Sequence, residues 1–281
     1  MIDSIAKNYF WLVAALALAC FAPDVAAQVS SGTAFAVASD SNCQANFAGG
    51  KAPAIIKQSL LPKSRELCMH SFGVLHSGLT RTPLWSAEHL TRDRVQNAHE
   101  QVRRNAFHPE GSLPVTERAE LKDYSRTGLD RGHMTPSGDM PDEQSQHDSF
   151  TLANMVPQDP KNNRGIWEGI ESAVRNLTEQ RGELYVITGP LFVGSSVQQL
   201  NGRVLVPTHI YKLVYDPKRN EGAAYLVKNV DSKDVQQMSV EEIGKMAGFD
   251  FLPGIKSSRF ALPNPTPHGY DKHSRRNRST F

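Results

Sequence analysis

The β-rich stretches of this chain come in runs and do not alternate with helices, which constrains the fold more than any other feature. Residues 72–77 (FGVLHS) and 83–90 (PLWSAEHL) predict two strands joined by a turn at Gly78-Leu79-Thr80-Arg81. Residues 183–192, 203–216 and 223–229 predict three more, separated by Gly, Asn or Pro. Only two helices are readable. From Asn163 to Gln180, Ile166, Ile170, Val174 and Leu177 fall on one apolar stripe. Ser239 opens the other, with Glu242 closing a capping box and Gly248 as the stop. This order predicts an α+β fold with antiparallel sheets and argues against a doubly wound parallel sheet.

The N-terminus reads as a leader. Lys7 precedes an apolar run from Phe10 to Phe21, and Val25-Ala26-Ala27 offers a cleavage site with Gln28 as the new N-terminus. The run is shorter than the roughly 20 residues that a bilayer span needs. Residues 1–27 are therefore expected to be a signal peptide, and the chain exported to the periplasm or beyond. Cleavage would remove Cys20 and leave Cys43 and Cys68, most simply one disulfide in an oxidising compartment. Residues 28–66 read as a loose lead-in, 67–255 as a single domain, and 256–281 as a basic, flexible tail. The 281 residues carry 31 Lys and Arg against 29 Asp and Glu, a net +2, so bulk charge alone does not announce a nucleic-acid binder.

The chemistry concentrates between Asp130 and Glu171. Asp130-Arg131-Gly132-His133 is followed by Asn154-Met155-Val156-Pro157-Gln158, then by Asn163-Arg164-Gly165-Ile166-Trp167 and Glu171. A neutral His is a fit general base near neutral pH, and an Arg two residues away can pair with phosphate oxygens through its planar fork. A carboxamide oxygen with a carboxylate behind water suits a hard cation such as Mg²⁺. Asn163 and Glu171 are eight residues apart, a net rotation of about 80° on an ideal helix, so both can face one ion. Ordinary structural readings stand beside these: a hydrogen-bonding loop His, Asn154 in a turn, Asn163 as an N-cap, Glu171 on a solvated face.

The three blocks together closely resemble the DNA/RNA non-specific endonucleases, sugar-non-specific nucleases of the ββα-metal (His-Me finger) superfamily. The resemblance covers roughly residues 68 to 255, including TPLW at 82–85 and ITGPLF at 187–192. It implies a ββα-metal nuclease fold with a metal-bearing helix, and metal-dependent hydrolysis of DNA and RNA with little sequence preference. By similarity, His133 is the general base and Asn163 the direct ligand of Mg²⁺, for which Mn²⁺ can substitute. Glu171 holds the ion through water, Asp130 fixes neighbouring groups, Asn154 orients the surroundings of His133, and Arg131 stabilises developing charge. An upstream Arg is expected against the phosphate, with Arg104 favoured over Arg103. DNA and RNA are the implied partners, with no membrane contact after cleavage; homodimers occur among such nucleases. Two rivals remain: a catalytically inactive binding or uptake protein, and a phosphodiesterase acting on other diesters.

Overall fold

The computed structural model describes residues 43–195 and 197–267. The expected signal peptide, the part of the lead-in before Cys43 and the tail from 268 onward lie outside the described residues. The strands are β1 (Ala54–Ile55), β2 (Ser64–Cys68), β3 (Phe72–Ser77), β4 (Thr82–Thr91), β5 (Asp130–His133), β6 (Met155–Gln158), β7 (Glu183–Leu191), β8 (Gln199–Leu200), β9 (Val204–Leu205), β10 (His209–Asp216), β11 (Glu221–Lys228), β12 (Gln236–Met238) and β13 (Phe249–Asp250). Seven of them form one sheet in the order β12-β11-β10-β7-β4-β3-β2, antiparallel throughout. The fold is α+β.

The central strands are buried on both faces. One face carries Trp85, Ile187, Leu213 and Leu226 and packs on Phe47, Phe249, Phe251 and the helix α5 (Val240–Ala247). Its capping box is formed, with the Ser239 hydroxyl accepting from Glu242 N–H, and Gly248 takes the left-handed conformation at φ 83°. The opposite face carries Val186, Ile210 and Val214 and packs on Ile166, Ile170, Val174 and Leu177.

Those four residues belong to one helical segment that runs longer than its periodicity suggests. It begins at α3 (Pro160–Asn162), passes through a π turn (Asn163–Trp167) and continues as α4 (Glu168–Arg181). Asp159 is the cap, accepting from Lys161 N–H and Asn162 N–H, with Pro160 pre-set for the first turn. Asn163 therefore lies inside the helix and is not its N-cap. Two short helices, α1 (Arg92–Glu100) and α2 (Glu143–Ser149), were not foreseen; α1 buries only Val95 and Ala98, too few for a visible period.

Two expected boundaries move. The stretch 43–66, read as lead-in, is built into the fold: β2 is the edge of the large sheet, and β1 pairs with β13. The first part of the expected tail is also held. Leu262 is buried, its N–H and C=O both bond the Gln237 side chain, and Tyr225 Oη donates to Pro263 O at 2.6 Å. Gly169 on α4 lets the Thr266 carbonyl approach so closely that a Cβ there would overlap it. Residues 259–267 thus form a strap across the long helix.

Cys43 and Cys68 are joined by a disulfide, which ties the buried N-terminal turn to the edge strand. Closing a loop of 25 residues contributes about 3 kcal/mol in the chain-entropy treatment. Cys43→Ser/Cys68→Ser should accordingly lower the denaturant midpoint, and wild-type protein in reductant should follow it. A midpoint unchanged by both would show that the bridge does not constrain the unfolded chain.

Candidate active site

The strands β5 and β6 form a separate antiparallel pair, with Asp130 opposite Gln158 and His133 opposite Met155. The long helix follows directly, giving a strand–strand–helix unit. Gly132 is required there because a Cβ would overlap the Gln158 side chain. Gln158 in turn donates to Asn162 Oδ1 at 2.8 Å, and Asn162 donates to Lys228 O at 2.9 Å. The strand pair, the helix start and the main sheet are locked together by these carboxamides.

Between strand and helix lies a cleft of about 650 Å³, whose lining includes Asp130, Arg131, His133, Asn163 and Glu171. Five of the residues singled out in the sequence therefore meet in one place. Their common facing is helped by the π turn: it spends more residues per turn than an α-helix, so Asn163 and Glu171 end closer than the ideal 80°. Asp130 accepts a two-pronged contact from Arg164, at 2.8 and 2.6 Å, and a 3.0 Å bond from Asn163 Nδ2. A carboxylate only accepts, so Nδ2 must face Asp130 and Oδ1 is the atom left for the cleft. Glu171 makes no hydrogen bond or ion pair among the described residues, and burial pushes its carboxyl up to about 7.

His133 is 8% exposed and wedged against Phe107 and Phe150, at ring separations of 5.7 and 5.0 Å. Its Nε2 is sealed without a hydrogen-bond partner, which leaves Nδ1 as the nitrogen that reaches the cleft. Burial, and then the charges of Arg103 and Arg131, hold its pKa well below 6.5. The imidazole is therefore neutral near pH 7 and able to take a proton. Arg131 lies over the Phe107 ring at 4.1 Å, with no hydrogen bond or ion pair among the described residues. Its guanidinium is aimed by the aromatic face.

Asn154 lies behind the cleft, not in its lining. It is fully buried; Oδ1 accepts from Thr135 N–H at 3.0 Å, and Nδ2 donates to Thr135 O and Ser149 O at 2.8 and 2.9 Å. It fixes the segment immediately after His133.

Arg104 is not a cleft residue. Its guanidinium turns outward to Glu143, while Arg103 lines the cleft, donates to Ser137 Oγ at 2.7 Å and lies 5.2 Å from the Phe150 ring centroid. The loop places the two neighbours on opposite sides, and charge alone could not choose between them. Arg175 also lines the cleft, held by Asp139 at 2.8 Å. It went unread although the signal was there, four residues after Glu171 and so one turn along the same helix face.

The sequence signature of the DNA/RNA non-specific endonucleases matches residues 50–258. The chain belongs to that family. It is 34% identical over 202 residues to a mitochondrial nuclease EXOG of Danio rerio, covering 64% of this chain and 59% of that protein. It is 36% identical over 167 residues to nuclease C1 of Cunninghamella echinulata var. echinulata, covering 55% and 66% respectively. The chain thus spans about 60% of the length of these curated relatives. Among solved structures it is similar to one from a crystal structure of an EndoG/EndoGI complex concerned with EndoG inhibition. There the TM-score is 0.60 and the identity 28%, covering 68% of this chain and 86% of that one. The family fold and the α+β architecture agree.

The electrostatics give a test that needs no substrate. In metal-free protein, NMR titration should place His133 below 6.5. Arg103→Ala should raise that value, and Arg104→Ala should leave it in place. Equal effects of the two would contradict the assignment of Arg103 to the cleft.

Proposed function

We propose that this protein is a metal-dependent endonuclease that hydrolyses phosphodiester bonds of DNA and RNA with little sequence preference. One observation carries the reading: a neutral, buried imidazole and a carboxamide oxygen aimed by a carboxylate line the same arginine-rich cleft. His133 takes the proton of the attacking water through Nδ1. Arg131, Arg103 and Arg175 offer guanidinium forks to phosphate oxygens as negative charge builds. Asn154 acts indirectly, by holding Thr135 and with it the strand end that carries His133.

No three His, Cys, Asp or Glu converge as a metal cluster among the described residues. An ion here would be held by Asn163 Oδ1, with Glu171 beyond a water, a donor set of hard oxygens that suits Mg²⁺ or Mn²⁺. When bound, the cation supplies charge stabilisation to the phosphate and the leaving 3′ oxygen. The arginines address phosphate, which every sequence presents, and this supports low sequence preference. The leader-like N-terminus and the Cys43–Cys68 bridge support an exported protein.

Incubation with plasmid, RNA and a small chromogenic diester, with and without EDTA, tests the reading. Cleavage of both nucleic acids, abolished by EDTA, is expected. Binding without cleavage, or turnover of the small diester alone, would overturn it. Within the same assay, Mg²⁺ should rescue Glu171→Ala further than Asn163→Ala. Loss of a group acting through water commonly costs about 10–100-fold, and loss of the direct ligand should exceed that. Equal rescue would mean that the direct ligand is misassigned.

A further inference from the structure

The sheet face beneath the long helix carries a polar row across its centre, and the buried Glu88, in register with Val186, lies beside that row. Lys212 on β10 is in register with Thr188 on β7, and Thr188 is in register with Ser86 on β4. All three are about 1% exposed. The neighbouring positions along these strands and the helix above are Val186, Ile210, Val214, Ile166 and Ile170. A buried ammonium is expensive, and the buried carboxyl of Glu88 nearby offsets only part of that cost. Burial alone does not account for this lysine.

Its contacts suggest what does. Lys212 Nζ donates to Thr188 Oγ1 at 2.7 Å and to the Met134 carbonyl at 3.4 Å. It also lies 5.5 Å from the centroid of Trp167, which closes the π turn between Asn163 and Glu171. At the other end of the row, the Ser86 and Thr135 hydroxyls are 2.7 Å apart. Met134 and Thr135 are the two residues after His133, and Asn154 holds the same pair from the side, with Met134 N–H donating to Asn154 O at 3.0 Å. One buried cation therefore touches both halves of the cleft: the strand end that carries the base, and the helix that carries Asn163.

We propose that Lys212, supported by Thr188 and Ser86, is a positioning residue that fixes His133 relative to the Asn163–Glu171 helix. The proposal rests on the nuclease reading above and adds to it a tie supplied by the main sheet. The ammonium's field also favours the ionised forms of Glu171 and of the buried Glu88 on the same face, against the burial that pushes both carboxyls up. Chemistry between two groups on separate elements depends on their spacing to within about an ångström, and a misplacement of that size can cost about 100-fold in rate.

Lys212→Met keeps the apolar stem and removes the charge. It should bind DNA with unchanged KM and lose about 10–100-fold in kcat at saturating Mg²⁺. In metal-free protein, amide hydrogen exchange at Met134 and Thr135 should quicken. Thr188→Val, which removes one partner and leaves the ammonium, should move both readouts the same way by less; it carries the test if Lys212→Met does not fold. Wild-type kcat in the folded variants, or a lowered melting temperature with kcat intact, would overturn the positioning role. If the wild-type protein cuts no nucleic acid, the nuclease reading fails by itself, and the exchange measurement still decides: unchanged protection at Met134 and Thr135 would reject the tie.

Discussion

A carboxylate that can only accept hydrogen bonds determines how this site is arranged. Asp130 opens the strand that ends in His133, and it takes its bonds from Asn163 and Arg164 on the helix opposite. The contact joins the two elements and also sets the Asn163 amide, so that nitrogen faces Asp130 and oxygen faces the cleft. Gln158 and Asn162 extend the tie to the main sheet, and Gly132 makes room for it. Asn163 Oδ1 and His133, the proposed ligand atom and base, are thereby held on rigid elements, as a precise site requires.

Charge balance in the cleft follows from the same arrangement. Arg164 is engaged with Asp130, and Arg175 with Asp139. Arg131 is placed by an aromatic ring and keeps its full charge for an anion. Burial, and then the charges of Arg103 and Arg131, keep His133 neutral, which removes competition between a protonated imidazole and a bound cation. Glu171 is the complement, a carboxyl pushed up by burial whose ionised form gains from positive charge nearby.

Much of the frame was legible because it rests on local patterns. The strand at 72–77 was read with its observed ends, and the Ser239–Glu242 box and Gly248 were read from three residues. The stripe Ile166, Ile170, Val174 and Leu177 marked the helix, but its start was misjudged because the apolar period begins after the Asp159 cap. Elements with little apolar content, such as α1, left no period to find. The strap at 259–267 is held by side-chain hydrogen bonds from Gln237 and Tyr225, so no hydrophobic spacing announced it. Arg103 could not be told from Arg104 because the direction of a loop side chain is set by groups distant in sequence. Lys212 was invisible for a related reason: its partners come from three separate parts of the chain.

If His133 is the base of a metal-assisted hydrolysis, single-turnover plasmid cleavage by His133→Ala at saturating Mg²⁺ will show it. Loss of a general base costs about 10²–10⁴-fold. A fall in rate of that order is expected, with plasmid affinity and melting temperature close to wild type. Cleavage at close to the wild-type rate would contradict it.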